Sequence, residues 1–314
     1  MSNVVFVAGA ARSGSSLLGE ILGAQRGVLN GGELSLFWRN AARGNSCACG
    51  SPLRSCDLWG SALDRVGREL DLQAGSYVDL AQTRSALAHT THPQRLSQMR
   101  RQPSAWSTAE ARLITATSLL YEVALELSDA EVLVDTSKTL PALLFHELTP
   151  QRQVTVIHLV RDPRAVAAST IRSIDSSRGN ADSLPPGGGL STAIGRWVWA
   201  NATASIGARR ASTRVRIHYE DLVQAPAELT RDVCDRAGIH FDPATVTGDR
   251  LLREGQSHAA VGNPRRGEGA VRLVLDDRWR SELSPARALF VRAITWPIDA
   301  ALKRANGEWS QPLR

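Results

Sequence analysis

Residues 4–22 read VVFVAGAARSGSSLLGEIL, and this stretch contains three successive sequence patterns. Its first residues are mostly β-branched and predict a buried strand. A turn rich in glycine and serine follows at residues 9–16, and the apolar residues after it recur at helical spacing. The stretch therefore predicts a strand, a glycine-containing loop and a helix.

The same order recurs at three later places in the chain. Further strands are predicted at residues 131–135 (EVLVD), 154–160 (VTVIHLV) and 215–219 (VRIHY), and each precedes a turn or a helical pattern. Strands that alternate with helices indicate a parallel sheet wound on both faces, with ligands at the carboxyl ends of its strands. The sequence therefore predicts an α/β fold with a doubly wound parallel sheet.

A long segment separates the first and second of these strands and is expected to form a helical insertion over about residues 60–128. Residues 106–127 carry apolar positions at three- and four-residue steps, whereas residues 84–102 are polar and predict a mobile connection. The insertion is expected to form either the wall of a substrate cleft or a packing layer. Residues 175–190, which contain PPGGG, predict a flexible loop. No convincing linker interrupts the sequence, so residues 1–314 are predicted to form a single domain.

The composition of the 314 residues limits the partners of the protein. There are 37 Lys and Arg against 31 Asp and Glu, a formal net charge of +6, which favours an anionic partner such as phosphate, sulfate, nucleic acid or a membrane surface. Nucleic acid fits poorly, because basic residues are spread along the chain and aromatic residues make up only 5%. No apolar run approaches the roughly 18 residues of a membrane span, and no signal peptide is recognised. We therefore expect a cytoplasmic protein with no membrane span.

The segment from Arg12 to Ser16 is a candidate anion site, because it lies at the predicted N-terminus of the first helix. Unpaired backbone N–H groups and the positive end of the helix dipole point into such a loop. Gly14 allows close approach of the backbone, Ser13, Ser15 and Ser16 carry hydroxyls, and Arg12 adds a charged fork. A nucleoside triphosphatase would carry a lysine at the position of Ser15, so ATP hydrolysis is disfavoured. The alternative is a Gly-Ser turn that only caps a helix.

A second candidate anion site follows the strand predicted at residues 154–160. Arg161 lies at the end of that strand, and Ser169 lies eight residues later, about two turns into the next predicted helix. The two side chains converge on one phosphate only if that helix folds back beside the strand end. Together with the first loop, they predict two separate phosphate sites for one nucleotide.

In these motifs the chain resembles the sulfotransferases that use 3′-phosphoadenosine 5′-phosphosulfate (PAPS). Residues 12–18 (RSGSSLL) are similar to the family's 5′-phosphosulfate loop, in the arginine-bearing version of the carbohydrate and tyrosylprotein branches. The segment RDPR at 161–164, with Ser169, is similar to the 3′-phosphate motif. HYEDLV at 218–223 is similar to the next landmark of the family, whose tyrosine would be the cofactor-contacting Tyr219. The resemblance implies a P-loop-like sulfotransferase fold, with PAPS as cofactor and 3′-phosphoadenosine 5′-phosphate (PAP) as product.

The resemblance, which covers about residues 4–285, also implies catalytic residues. In several branches the loop after the first helix supplies a catalytic glutamate, and the match here is Glu33, which would accept the proton of an acceptor hydroxyl. Lys138, after a predicted strand end, is expected to stabilise the departing nucleotide, with Arg12 assisting. This chemistry requires no metal, because lysine and arginine do the work that Mg²⁺ does in kinases.

A loop near the C-terminus is also similar to a segment of the family. Ser257 precedes the basic, glycine-containing run GNPRR at 262–266. Comparable segments close over the nucleotide, so the resemblance implies that Ser257, Asn263 and Arg265 bind the cofactor. A solvated surface loop is the alternative.

Several alternatives stay open from the sequence. Cytosolic relatives use a histidine as base, and His146, His158 and His218 are available, although the last two lie in predicted strands and are more typical of core residues. A phosphotransferase of the nucleoside-kinase type would share the loop and helix but needs a metal and a loop lysine. A non-catalytic nucleotide-binding protein also fits the charge. For a sulfotransferase we expect a small-molecule or sugar acceptor, whereas the sequence does not indicate an oligomeric state.

Three of the four cysteines lie close together in the sequence, at Cys47, Cys49 and Cys56. Their spacing could supply three ligands of a Zn²⁺ site, with Cys234 or a histidine as the fourth. The paired C-x-x-C knuckles typical of zinc sites are missing. Local packing or reduced thiols is therefore the favoured interpretation.

Overall fold

The computed structural model describes residues 3–73, 75–88, 93–149, 152–177, 189–252, 257–261 and 270–304. Five strands form one parallel sheet: β1 (Asn3–Gly9), β2 (Val28–Gly32), β3 (Val132–Lys138), β4 (Gln153–Val160) and β5 (Thr213–His218). Their order in the sheet is β2-β3-β1-β4-β5. A small antiparallel sheet contains β6 (Val246–Thr247), β7 (Arg250–Leu251) and β8 (Val271–Arg272).

Helices connect and flank the strands. The α-helices are α1 (Ser15–Gly23), α2 (Phe37–Arg43), α3 (Asp57–Glu69), α4 (Ser76–Ala88), α5 (Pro93–Arg101), α6 (Thr108–Leu127), α7 (Leu140–His146), α8 (Pro163–Ser177), α9 (Leu190–Ala208), α10 (Tyr219–Gln224), α11 (Pro226–Ala237), α12 (Trp279–Glu282) and α13 (Pro285–Arg304). Short 3₁₀ helices cover Leu34–Leu36, Leu53–Ser55 and Pro103–Ala105.

Alternate residues of the central strand β1 face opposite sides of the sheet. Val5 and Val7 belong to a core that includes residues of α1 and α11, whereas Phe6 and Ala8 belong to a core that includes residues of α7 and α9. Both faces of β1 are buried, which explains why its sequence is a continuous apolar run. The predicted α/β fold with a doubly wound parallel sheet is confirmed.

Strand β2 is the strand of the main sheet that the sequence pattern did not predict. Its sequence, VLNGG, contains two glycines, which are depleted in strands. It occupies the sheet edge beside β3 and packs closely against α1, where a methyl group added at Gly23 would lie 2.7 Å from Cβ of Asn30. Tertiary contact with α1, rather than local propensity, therefore supports this strand.

Helices α3 to α6 form the insertion that was predicted at about residues 60–128, and they contribute to a separate hydrophobic core. The prediction of a mobile connection at residues 84–102 was wrong, since α4 and α5 occupy most of it. Arg84 is buried, with its guanidinium carbon 4.2 Å from the ring centroid of Phe145, and Leu96 and Met99 are buried on α5. Two apolar residues three positions apart give the polar α5 a buried face.

The flexible loop predicted at residues 175–190 falls mostly on residues 178–188, which lie outside the described residues. Of the helices in the described ranges, none combines the length and the apolar character that crossing a membrane requires. The single domain and the cytoplasmic location stay predictions.

Candidate active site

The loop between β1 and α1 turns sharply before the helix begins. Arg12 and Gly14 both have positive φ, at 69° and 94°, and Gly14 is the N-cap residue of α1. A methyl group added at Gly14 would lie 2.5 Å from Cδ2 of Tyr219. Both the backbone conformation and the neighbouring ring therefore require glycine at this position.

The second motif lies directly against this loop. Arg12 Nε donates to Ser169 Oγ at 3.1 Å, and Arg161 Nη1 donates to the backbone carbonyl of Arg12 at 2.9 Å. Arg161 also lies over Tyr219, with its guanidinium carbon 4.4 Å from the ring centroid. Because α8 begins shortly after β4 ends, it brings Ser169 beside the strand ends. The structure thus brings both predicted phosphate motifs together.

A cavity of about 300 Å³ opens between these residues. Five cationic side chains and three carboxylates line it, so it suits an anionic ligand. Within the described ranges, the buried Ser13 hydroxyl and Arg161 Nε have no hydrogen-bond partner, so both retain donor capacity. The described lining residues are Ala11, Arg12, Gly14, Ser15, Ser16, Leu17, Glu20, Glu33, Lys138, Arg161, Ser169, Arg172, Tyr219, Asp276 and Arg278.

Glu33 and Lys138 form an ion pair in this cavity. Lys138 Nζ lies 2.7 Å from Glu33 Oε1 and donates to the backbone carbonyl of Thr136 at 2.9 Å. Both residues are placed by strand ends, since Glu33 directly follows β2 and Lys138 ends β3 with a φ of 70°. Their side chains are 26% and 11% exposed, so solvent and salt screen the pair less than a surface ion pair.

The buried carboxylate of Asp135 holds the backbone next to this pair. Its Oδ1 accepts hydrogen bonds from the backbone N–H groups of Leu34 at 3.3 Å and Ser137 at 2.8 Å. Its Oδ2 lies 2.7 Å from Nε2 of His146. Burial lowers the pKa of His146, so the neutral ring donates to Asp135 through Nε2–H. Asp135 therefore fixes the turn beside each member of the ion pair.

The other two candidate histidines are buried in the core. Burial lowers the pKa of His158 to about 3, and its ring nitrogens lie 2.9 Å from Asn201 Oδ1 and 3.3 Å from Arg216 Nε. His218 is buried at the end of β5. Of the candidate bases named from the sequence, Glu33 is among the described lining residues of the cavity, and no histidine is.

Besides Glu20, three charged residues of the cavity were not expected from the sequence, namely Arg172, Asp276 and Arg278. The carboxylate of Asp276 accepts a hydrogen bond from Arg278 Nε at 2.7 Å and lies 3.1 Å from Arg161 Nη2 and 3.3 Å from Arg172 Nη2. Hydrogen bonds from Arg278 and Arg161 hold the pKa of Asp276 well below its usual range. Burial, together with the charges of Arg172 and Arg161, lowers the pKa of Arg12. One carboxylate thus offsets part of a dense cationic cluster.

A sequence signal existed for one of these three residues. Arg172 follows Ser169 by three positions, so both lie on one face of α8, and that spacing could have indicated it. Asp276 and Arg278 lie in an irregular segment before α12, where no spacing rule applies.

The C-terminal cofactor candidates are only partly described. Ser257 Oγ donates to Glu20 Oε1 at 3.3 Å, and Ser257 is not among the described lining residues. Asn263 and Arg265 lie outside the described residues. Ser257 therefore reaches the cavity through Glu20 rather than directly.

The chain matches one family of known proteins over most of its length. A sequence profile of the sulfotransferase family matches residues 4–243. The chain belongs to the sulfotransferase family. Sulfuryl transfer is thus the general activity that family membership supports, and the predicted membership is confirmed. A search of curated proteins found no match.

Two solved sulfotransferase domains share the fold of this sulfotransferase. The domain from the curacin biosynthetic pathway has a TM-score of 0.51 and 15% identity, with 93% of this chain and 97% of that chain covered. The domain from the Synechococcus PCC 7002 olefin synthase has a TM-score of 0.52 and 20% identity, with 93% and 94% covered. The predicted P-loop-like sulfotransferase fold is confirmed, whereas the resemblance to the carbohydrate and tyrosylprotein branches stays a prediction.

Proposed function

We propose that this sulfotransferase moves a sulfuryl group from PAPS to a hydroxyl of a small-molecule or carbohydrate acceptor. The observation that carries the proposal is the direct contact between the two phosphate motifs. Arg12 donates to Ser169, and Arg161 donates to the backbone of Arg12, beside one cationic cavity. Two adjacent motifs suit a nucleotide with phosphates on both its 3′ and 5′ positions better than ATP, whose phosphates form one chain.

Each motif binds one end of the donor in this proposal. The N-terminus of α1 and the hydroxyls of Ser15 and Ser16 bind the 5′-phosphosulfate, because helix N-termini favour anions. Arg161 and Ser169 bind the 3′-phosphate, and Arg161 Nε has no partner within the described ranges. The ring of Tyr219 is expected to contact the nucleoside.

Glu33 is the proposed general base. PAPS supplies an activated sulfuryl group, and the acceptor oxygen forms its bond to sulfur while Glu33 takes up the hydroxyl proton. The bond between sulfur and the 5′-phosphate oxygen breaks on the opposite side, and its electron pair stays on that oxygen. Lys138 and Arg12 stabilise this developing charge more strongly in the transition state than in the ground state.

The ion pair links these two catalytic roles. Glu33 Oε1 and Lys138 Nζ are 2.7 Å apart, close enough for strong mutual attraction. When Glu33 becomes protonated, its charge disappears and its hold on Lys138 weakens. The ammonium group of Lys138 is therefore released at the stage when negative charge develops on the leaving oxygen.

Calorimetric titration with PAP and with ATP tests the donor. We expect PAP to bind more tightly than ATP and Arg161→Ala to abolish this preference, because hydrogen bonds to charged groups contribute about 1.5–3 kcal/mol. The exposed Arg68 on α3 offers a matched control, and Arg68→Ala should keep the preference. Equal affinities of the unaltered protein for PAP and ATP would contradict the proposal.

Transfer of labelled sulfate from PAPS to a panel of hydroxyl acceptors tests the catalytic roles. Glu33→Gln is expected to lower kcat by about 10²–10⁴ while PAP still binds, and Lys138→Ala should also lower kcat. Glu131→Gln, at an exposed position directly before β3, and Lys303→Ala, on α13, are matched controls. Unchanged rates in both active-site variants would refute these roles, and Mg²⁺-dependent ATP turnover by the unaltered protein would favour a phosphotransferase instead.

A further inference from the structure

Four side chains with metal-binding atoms meet away from the cationic cavity. Cys47, Cys49, Cys56 and His258, here called the Cys₃His cluster, bring three sulfur atoms and one ring nitrogen within 4.8 Å of one another. Cys47 and Cys56 are buried, and the other two are half-buried. His258 lies 202 residues from Cys56 in the chain, so the fold, and not local sequence, assembles the cluster.

We propose that the Cys₃His cluster binds a structural Zn²⁺ ion. Zinc prefers four ligands in a tetrahedron, at about 2.3 Å for sulfur and about 2.0–2.1 Å for nitrogen, which places sulfur and nitrogen ligands about 3.6 Å apart. Nδ1 of His258 lies 3.2 Å from Cys56 Sγ and 4.0 Å from Cys47 Sγ, on either side of this value. Hydrogen bonds between thiols and the imidazole would join Cys47 and Cys56 to His258, but they give no reason for the third sulfur, that of Cys49, to lie within 4.8 Å of the same atoms.

The backbone around the cluster has the tight turns that such a site needs. Gly50, with a φ of 96°, donates its N–H to the carbonyl of Cys47 at 3.0 Å, and Cys47 N–H donates to Ser51 at 2.9 Å. Cys56 is the N-cap residue of α3, where the positive end of the helix favours a thiolate. Three thiolates and one imidazole are a ligand set that zinc selects.

The completeness of the ligand set points to a structural ion. Catalytic zinc sites keep one position for water or substrate, whereas structural sites use four protein ligands. All four positions are filled by the cluster, and none of its residues is among the described residues that line the cationic cavity. The ion would therefore stabilise the fold and take no part in sulfuryl transfer.

The ion would fasten a segment that supports the proposed base. Residues 257–261 carry His258, and their backbone pairs with the end of β2, where Ala260 N–H donates to Gly31 at 3.0 Å and Glu33 N–H donates to Val261 at 2.9 Å. The same segment accepts a hydrogen bond from Ala48 N–H at 3.0 Å. Zinc would thus connect residues 47–56, which carry the three cysteines, to the backbone beside Glu33. This consequence for catalysis rests on the proposed function, whereas zinc binding does not.

Metal content of the untagged, full-length protein tests the proposal first. We expect about one zinc ion per chain after purification, or after addition of Zn²⁺ to chelator-treated protein. Replacement by Co²⁺ should give the intense visible bands of tetrahedral thiolate coordination. Removal of the ion should lower the melting temperature, because binding free energy is linked to folding.

Substitutions in the Cys₃His cluster distinguish metal ligands from side chains that only pack together. Cys56→Ser and His258→Ala should lose the ion, whereas His258→Cys should retain it, because four cysteines also bind zinc. Cys234→Ser is the matched control, since Cys234 is a buried cysteine in a different core.

Several results would overturn the proposal. Failure of the unaltered protein to take up Zn²⁺ or Co²⁺ would do so, even if every ligand variant failed to fold. A disulfide between two of the cluster cysteines, detected by mass under non-reducing conditions, would also do so. Retention of zinc by Cys56→Ser and His258→Ala at the level of Cys234→Ser would place the ion elsewhere.

Discussion

Replacing Gly14 by alanine tests whether the β1–α1 loop, Tyr219 and Arg161 act as one unit. The added methyl group would lie 2.5 Å from Cδ2 and 2.9 Å from Cε2 of the Tyr219 ring. Carbon atoms prefer separations of about 3.5–4.0 Å, so the ring has to retreat by about 1 Å. Tyr219 packs under the Arg161 guanidinium at 4.4 Å, and its displacement disturbs the proposed 3′-phosphate site.

Two effects are expected to lower the free energy of unfolding of Gly14→Ala. Alanine at a φ of 94° costs about 1 kcal/mol because of its backbone conformation. Weaker stacking between Tyr219 and Arg161 costs about another 1–2 kcal/mol. We therefore expect Gly14→Ala to lower the free energy of unfolding by about 2–3 kcal/mol, and PAP affinity by about tenfold, since 1.4 kcal/mol corresponds to a factor of ten.

Urea denaturation measures the change in stability, and calorimetry measures PAP binding. Gly27→Ala is the matched control, because Gly27 also has a positive φ, 74°, and no described atom outside its immediate neighbours lies within 4 Å of an added methyl group. That variant should lose only the stability that depends on backbone conformation, about 1 kcal/mol, and should bind PAP normally.

The same substitution in a Tyr219→Ala background makes the test decisive. Without the ring, Gly14→Ala should cost no more stability than Gly27→Ala. An equal loss of stability from Gly14→Ala in both backgrounds would contradict a contact with Tyr219, and so would a loss no greater than that of Gly27→Ala while Tyr219 is present. Either result would mean that the loop does not depend on contact with this ring.

Two further predictions follow from charged and titratable groups. Asp276→Asn should tighten PAP binding several-fold in calorimetry, because the Asp276 carboxylate competes with ligand phosphates for Arg161 and Arg278. The exposed control Asp277→Asn should leave PAP binding unchanged. Unchanged or weaker PAP binding in Asp276→Asn would refute the competition. The pKa of His158 is lowered to about 3, from about 6.5 in the unfolded chain. Between these two pH values the unfolded state binds more protons than the folded state. The free energy of unfolding therefore falls as the pH drops below about 6.5, by up to about 1.4 kcal/mol per pH unit. Urea denaturation from about pH 7 to about pH 5 should show a shallower loss for His158→Gln, and equal slopes would count against this assignment.

Four strands of the main sheet could be predicted from sequence, because each follows a recognisable pattern of apolar residues. β1, β3 and β4 contain apolar runs that stand out from their surroundings, whereas the edge strand β5, TRVRIH, alternates apolar residues with half-buried arginines. β2 could not be predicted, because VLNGG has little strand propensity and depends on contact with α1. Helix α5 was mistaken for a mobile connection, because only Leu96 and Met99 mark its buried face.

In the candidate site, too, the residues that follow a local sequence rule could be predicted, whereas those that depend on distant contacts could not. The Arg12 loop could be predicted because helix N-termini bind anions by a local rule. Asp276 could not, because it meets Arg161 across a separation of 115 residues. The cysteine spacing supplied three candidate ligands, but a histidine 202 residues from Cys56 is identified as the fourth only by the fold.

The order of strands in the sheet is the step that joins separate motifs into one site. β1 lies between β3 and β4, with Ala8 opposite Lys138 on one side. On the other side Gly9 lies opposite Leu159, two residues before Arg161. Neighbouring strands are about 4.8 Å apart, so both cationic strand ends lie beside the loop that follows β1 and within reach of one ligand. A strand inserted on either side of β1 would put one of these cations out of reach. Local sequence can specify each strand end, but only the pairing of β1 with both neighbours determines which ends meet.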